Sequence, residues 1–171
     1  DPVAGSMSLG PHSLSGLEGE PLRKARKDIQ MVFQDPFSSL NPRLRAGRAV
    51  REPLDLMDIG TKAEREARVD EMFEAVGLHP DAKRLFPHQF SGGQRQRLCI
   101  ARAMVTEPRL VVCDEPVSAL DVAIQAQILN LLKGLQKTKN LTYMFISHDL
   151  AVVQNICTHV AVMYLGEFVE T

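Results

Sequence analysis

The 171-residue sequence has no surplus of either charge: 20 Lys and Arg stand against 21 Asp and Glu, a formal net charge of −1. A protein that tracks a nucleic-acid backbone neutralises phosphates with excess cations, so overall charge speaks against a polyanionic partner. No apolar run approaches the ~20 residues that span a bilayer; the longest, such as Val160 to Leu165 and Leu110 to Cys113, are far too short. A charged start followed by an apolar core, the mark of a secretory leader, is missing. Cysteine is scarce, and Cys99, Cys113 and Cys157 are widely spaced in apolar surroundings without a CxxC pair. They read as reduced core residues rather than metal ligands or disulfide partners. Internal repeats and sustained heptads are absent too. What remains is a globular composition, 44% hydrophobic and 24% charged, at a length that suits one domain.

The first twenty residues are rich in Gly, Ser and Pro, with Ser6 to Leu9 as a short edge-strand candidate. Ile29 to Gln34 has the content of a buried strand, stopped by Asp35-Pro36 and a Ser/Asn/Pro loop to Pro42, so Gln34 falls at a strand end. From Ala46 to about Leu78 the pattern is helical: Thr61 and Glu64 form a capping box, and Val69, Met72, Phe73 and Val76 recur on one face. Ser91 and Gln94 form a second box, opening a helix to about Thr106. Leu110 to Cys113 reads as a fully buried parallel strand ending in Asp114-Glu115. Asp121 caps a helix with an apolar stripe of Ile124, Ile128, Leu131, Leu132 and Leu135. Leu141 to Ile146 is the next strand, followed by a helix near Leu150 to Ile156 and a strand near Val160 to Leu165, where Gly166 turns the chain back.

This strand–helix–strand order gathers ligands beyond the strands' carboxyl ends, where Asp114, Glu115 and His148 fall. Ser91, Gly92, Gly93 and Gln94 put small residues at a helix mouth, where free N–H groups and the positive end of the dipole suit an anion. Adjacent carboxylates at a strand end suit metal-assisted phosphoryl transfer, one organising Mg²⁺ and the other handling the attacking water. Each feature alone has an ordinary reading as a helix start, a solvated acid pair, a capping histidine or a loop amide.

In chain order the sequence presents Gln34 after a strand, FSGGQRQR at 90–97, LVVCDEP at 110–116, SALD at 118–121 and ISHD at 146–149. Through most of the chain this series resembles the ATPase domain of ATP-binding-cassette (ABC) transporters. IQMVFQDPFSSLNPR at 29–43 and DEPVSALDVAIQAQILNLL at 114–132 are similar to the ATPase subunits of bacterial oligopeptide and dipeptide importers. Importers of nickel or glutathione carry similar subunits, so the cargo stays open.

The resemblance implies an α/β fold of the P-loop NTPase type, a largely parallel but incomplete sheet core. A helical signature subdomain at 44–106 would be inserted between 1–43 and 107–171. It implies ATP and Mg²⁺ as cofactors, with Asp114 and Gln34 toward the metal, Glu115 as catalytic base and His148 as the switch histidine at the γ-phosphate. Gln34 would also touch the attacking water. Ser91, Gly92, Gly93 and Gln94 would be the signature motif that contacts ATP held by a second subunit, and Asp121 would belong to the loop across that interface. Phe90 stands where the family usually has Leu. Expected partners are membrane permease subunits reached through the Gln34 loop and the helical subdomain, a second identical or paralogous ATPase subunit, and indirectly an extracytoplasmic binding protein. Nucleic acid is not expected. The implied location is cytoplasmic, at the inner face of the cell membrane.

One family element is missing from the sequence. No Gly-Lys-Ser or Gly-Lys-Thr occurs, so the phosphate-cradling loop G-x-x-x-x-G-K-S/T is not there. The opening DPVAGSMSLG resembles the stretch that follows that loop's helix, and the chain by itself is expected to bind Mg-ATP negligibly and to carry an unpaired sheet edge. The alternatives are a non-catalytic cassette acting as an interaction module, and the ATPase of a non-transport machine built on the same head.

Overall fold

Strand and helix boundaries follow the sequence punctuation closely in the computed structural model, which describes residues 4–171. The first three residues of the opening stretch lie outside that description. A small antiparallel hairpin comes first, β1 (Ser8–Leu9) with β2 (His12–Ser13). Helix α1 (Gly19–Asp28) follows and leads directly into β3 (Ile29–Val32). The sequence pattern does not announce α1: Gly19 and Pro21 mask its start, and none of its residues is fully buried. Pro is nonetheless compatible with a first helical turn, and Arg23 braces the helix through Glu20, 2.7 Å away, and the carbonyl of Leu56.

After β3 come a single turn, α2 (Pro36–Ser39), and the helices α3 (Ala46–Leu56), α4 (Lys62–Ala75) and α5 (Gly92–Met104). The helical region expected from Ala46 to Leu78 is therefore two helices. They break where Asp58 and Gly60 take positive φ, +53° and +69°, a conformation that ends a helix. Both capping boxes form, at Thr61 with Glu64 and at Ser91 with Gln94. Val50, Leu54, Val69, Phe73, Val76, Leu98 and Ile100 are fully buried and bind α3, α4 and α5 into one core. Arg51 links Asp55 to Glu66, and Arg65 links Asp55 to Asp58, along the outer surface.

The chain then forms β4 (Leu110–Asp114), α6 (Val122–Lys139), β5 (Thr142–Ile146) and α7 (Leu150–Ile156). β3, β4 and β5 make a parallel sheet in that order, with Val32 beside Cys113 and Cys113 beside Phe145. One correction concerns β4, expected to be buried on both faces. Only Val111 and Cys113 are fully buried, alternating with half-buried Leu110, Val112 and Asp114. The helices explain this: α5 packs on β3, and Tyr143 donates to Leu132 O of α6 on the face that carries Val32 and Cys113. The opposite face leaves Met31, Met144 and Ile146 exposed, whereas a strand is buried twice only where helices lie on both faces. β5 has no partner on its outer edge among the described residues.

A last hairpin, β6 (Val162–Tyr164) and β7 (Glu167–Glu170), turns through Leu165 and Gly166, both at positive φ, the geometry of tight hairpin turns. All three cysteines are free. Burial pushes the Cys99 thiol up to about 11 and the Cys113 thiol to about 12, which keeps them protonated and agrees with a reduced-core reading for these two, whereas Cys157 is only half-buried and lies outside the core. No helix among the described residues is long and apolar enough to cross a membrane.

Candidate active site at the sheet edge

Because β3, β4 and β5 are parallel and in register, their C-terminal ends deliver Gln34, Asp114-Glu115 and His148 to one edge. Three of these side chains meet directly. Gln34 Nε2 donates to Glu115 Oε2 at 2.8 Å, and His148 Nδ1 lies 2.9 Å from Glu115 Oε1. Glu115 is the hub, its side chain 23% exposed against 73% for His148. Its backbone sits at φ +44°, sparsely populated for a residue with a Cβ and typical of functional positions. The turn is fixed by Glu115 N–H donating to Ile146 O at 3.0 Å and by Ser118, whose N–H and hydroxyl both donate to Glu115 O.

The electrostatics follow from this contact. The hydrogen bond and charge of His148 hold the Glu115 carboxyl below its ordinary range, and the same contact raises His148. At neutral pH Glu115 is thus a carboxylate with one lone pair still free on each oxygen, which can accept a proton from, or orient, a water.

Asp114 occupies the last register position of β4, opposite Ile146, half-buried beside this group. Among the described residues no group of three or more His, Cys, Asp and Glu gathers to make a protein-only metal cage. The donors do fit a magnesium ion that keeps water and phosphate ligands: Asp114 offers carboxylate oxygens, and Gln34, with its nitrogen on Glu115, offers its amide oxygen.

The second group of expected residues forms a separate cluster. Ser91 Oγ accepts from Gln94 N–H at 3.3 Å, while Gln94 Oε1 accepts from Ser91 N–H at 3.0 Å. Both side chains are therefore engaged in the cap, and the N–H groups of Gly92 and Gly93 are left at the helix mouth. Gly93 also has an internal reason to be glycine: a Cβ there would stand 2.6 Å from Ile124 Cγ2 of α6. Gly92 is less constrained, its Cβ meeting Leu120 at 3.7 Å. Asp121 joins the cluster through Ile124, whose N–H it accepts at 3.0 Å as the cap of α6. No hydrogen bond links this cluster to Gln34, Glu115 and His148 among the described residues, so the expected site residues fall into two separate clusters.

Sequence reasoning missed the support beneath Gln34. Asp35 caps α2 by accepting from Phe37 N–H at 2.8 Å, which lowers its carboxyl, and α2 rests on α5 through Arg95, Cys99 and Arg102. The helical spacing of those three in FSGGQRQRLCIARAM was the available signal.

The family model described as ABC transporter matches residues 1–118. The chain belongs to the ABC transporter family. It is 52% identical over 170 residues to the oligopeptide transport ATP-binding protein AppF of Bacillus subtilis, covering 99% of this chain and 52% of that protein. A putative peptide import ATP-binding protein of Brucella abortus is 54% identical over 168 residues, covering 95% of this chain and 50% of that one. The chain thus spans about half the length of the curated relatives it matches. Among solved structures, cbiO1 of Clostridium perfringens, part of the ABC transporter complex cbiONQ, aligns with a TM-score of 0.86 at 28% identity, over 98% of this chain and 65% of that one. The dimeric ATP-binding cassette MJ0796, in a post-hydrolysis state bound to ADP and Pi, aligns with a TM-score of 0.75 at 31% identity, over 90% and 67%. The α/β cassette fold implied by the resemblance is therefore the fold of this chain.

Proposed function

We propose that this chain supplies the water-handling and signature portions of an ATPase that energises uptake of peptides or related small cargo through a membrane transporter. The observation that carries the reading is the contact of Glu115 with both Gln34 and His148 at the C-terminal edge of a parallel sheet. In this reading Glu115 accepts a proton from the attacking water and Gln34 Nε2 orients the carboxylate. His148, held toward its charged form by Glu115, faces the negative charge that develops on the transferred phosphoryl group. Asp114 and Gln34 would hold a Mg²⁺ ion, whose chemistry there would be neutralisation of phosphate charge.

The separation of the two clusters supports a second cassette. Ser91, Gly92, Gly93 and Gln94 would serve the nucleotide of the opposite subunit, with Asp121 at the shared interface, and a solved relative is described as dimeric. Permease subunits would engage the loop from Gln34 to Pro42 and the helical region, a binding protein would deliver cargo outside, and the assembly would sit at the inner face of the membrane. Peptide cargo is favoured by relatives with peptide transport in their names.

The absence of any Gly-Lys-Ser or Gly-Lys-Thr favours a narrower role for these residues alone: a module that docks on partners without holding ATP. Joining a segment with G-x-x-x-x-G-K-S/T to the N-terminal end tests both. Hydrolysis that appears on fusion and vanishes with Glu115→Gln supports the ATPase reading. A fused protein that binds Mg-ATP without hydrolysing it leaves the docking module.

A further inference from the structure

Gln34 is exposed, and a single hydrogen bond from an exposed side chain contributes little against competing water. Its hold on Glu115 therefore depends on how firmly the backbone beneath it is placed. Asp35 and α2 follow immediately, and a one-turn helix is not stable by itself.

Residues 95, 99 and 102 of α5 lie at i, i+4 and i+7, one face of that helix, and all three grip α2. The Arg95 guanidinium stacks over the Phe37 ring, 5.1 Å from its centroid, while its Nε donates to Pro87 O at 2.9 Å. Cys99 Sγ lies 3.2 Å from Ser39 Oγ and 3.7 Å from Pro36 O. Arg102 donates through one nitrogen to Ser39 O at 2.9 Å and through another to Glu52 of α3 at 3.0 Å. It thus satisfies a carbonyl at the end of α2 that the short helix cannot satisfy itself, and it ties α2, α3 and α5 together with the planar fork that only arginine offers.

We propose that Arg102 is a positioning residue: with Arg95 and Cys99 it clamps the α2 turn onto the signature helix and so holds Gln34 on Glu115. The chain of contacts runs from the cap of α5 at Ser91 along its face to α2, then through Asp35 to Gln34. It gives the two clusters a mechanical link although no hydrogen bond joins them directly. The consequence for turnover rests on the ATPase reading above; the clamp itself does not.

The test is the side-chain amide of Gln34 in ¹⁵N NMR spectra of this chain without nucleotide, assigned by its loss in Gln34→Ala. In the wild type its bonded proton should be shifted downfield and protected from solvent, and Glu115→Ala should give the position of the free amide. Arg102→Met is expected to move the signal most of the way to the free position, and Arg102→Lys, which reaches one partner at a time, to recover part of the shift. Phe37 is 57% exposed, so Phe37→Leu spares the core. It should give a smaller shift in the same direction, and it decides the matter if Arg102→Met does not fold. A shift in Arg102→Met alone confines the clamp to Arg102. A Gln34 signal at the wild-type position in both Arg102→Met and Phe37→Leu overturns the proposal. Because no nucleotide is present, that failure is distinct from a failure of the ATPase reading, which the fused protein tests.

Discussion

Gln34 and Glu115, 81 positions apart in sequence, are joined by a 2.8 Å hydrogen bond from the amide of one to the carboxylate of the other. Parallel register produces this contact: β3 and β4 end side by side, and each chain turns away just after its last paired residue. Because His148 reaches the other oxygen of Glu115, the carboxylate is held from two strands at once. A group held this way keeps its orientation without reorganising during reaction.

The Glu115–His148 contact has a definite pH signature. Glu115 lies below its ordinary range, so its contribution to stability is present above about pH 4.3, the unfolded carboxyl value, and is lost as pH falls through the lower folded value. His148 is raised, so its contribution is complete below about pH 6.5 and is lost as pH rises through the higher folded value. The pair therefore stabilises most between those limits. NMR titration of His148 should give a midpoint above that of a free histidine, and Glu115→Gln should return it to about 6.5. An unchanged midpoint would mean that the contact does not form in solution.

Gly92 and Gly93 should respond differently to alanine. At Gly93 the new Cβ would meet Ile124 Cγ2 at 2.6 Å, and overpacking of this kind costs roughly 1–3 kcal/mol. At Gly92 the contact is 3.7 Å, and the better helix propensity of alanine, up to about 1 kcal/mol, should leave stability equal or higher. Denaturant melts of Gly92→Ala, Gly93→Ala and the double variant Gly93→Ala with Ile124→Leu, which lacks the Cγ2 branch, check this, the last recovering part of the loss. Equal melts for the two single variants would count against the close approach of α5 to α6.

Gln96 is 1% exposed and its Nε2 has no hydrogen-bond partner among the described residues. An unsatisfied buried donor costs about 1–3 kcal/mol, so Gln96→Met, similar in length and without the donor, should raise the unfolding free energy by about 1 kcal/mol. A lower denaturation midpoint would show that the amide is satisfied in solution.

Much of this architecture was legible in sequence because its signals are local. Capping boxes at Thr61 and Ser91, the Asp121 cap and the Asp114-Glu115 strand end each depend on a few adjacent residues, and each formed where expected. What sequence could not give was set by distant partners. Helix α1 is stabilised by Arg23 reaching Leu56 O, and the alternating burial of β4 depends on which face α5 and α6 cover. Gly93 read as a phosphate cradle, yet its internal constraint comes from Ile124, 31 positions later. Likewise topology places Gln34 and His148 at one edge, but their convergence on the two oxygens of Glu115 is set by side-chain geometry that no local signal carries.

Nucleotide affinity of this chain alone should be negligible, because most phosphate affinity in this family comes from the G-x-x-x-x-G-K-S/T loop, and no Gly-Lys-Ser or Gly-Lys-Thr is present. Calorimetric titration with Mg-ATP should show no saturable micromolar binding; a micromolar isotherm would reveal a phosphate site built from other residues.

The most direct test of the central claim, that Glu115 activates the attacking water, is the ATP turnover of the P-loop fusion with and without Glu115→Gln. Loss of a general base removes about 10²–10⁴-fold in rate, so turnover should fall by that factor while ATP still drives pairing of two cassettes. Undiminished turnover in Glu115→Gln would remove Glu115 from the role of base.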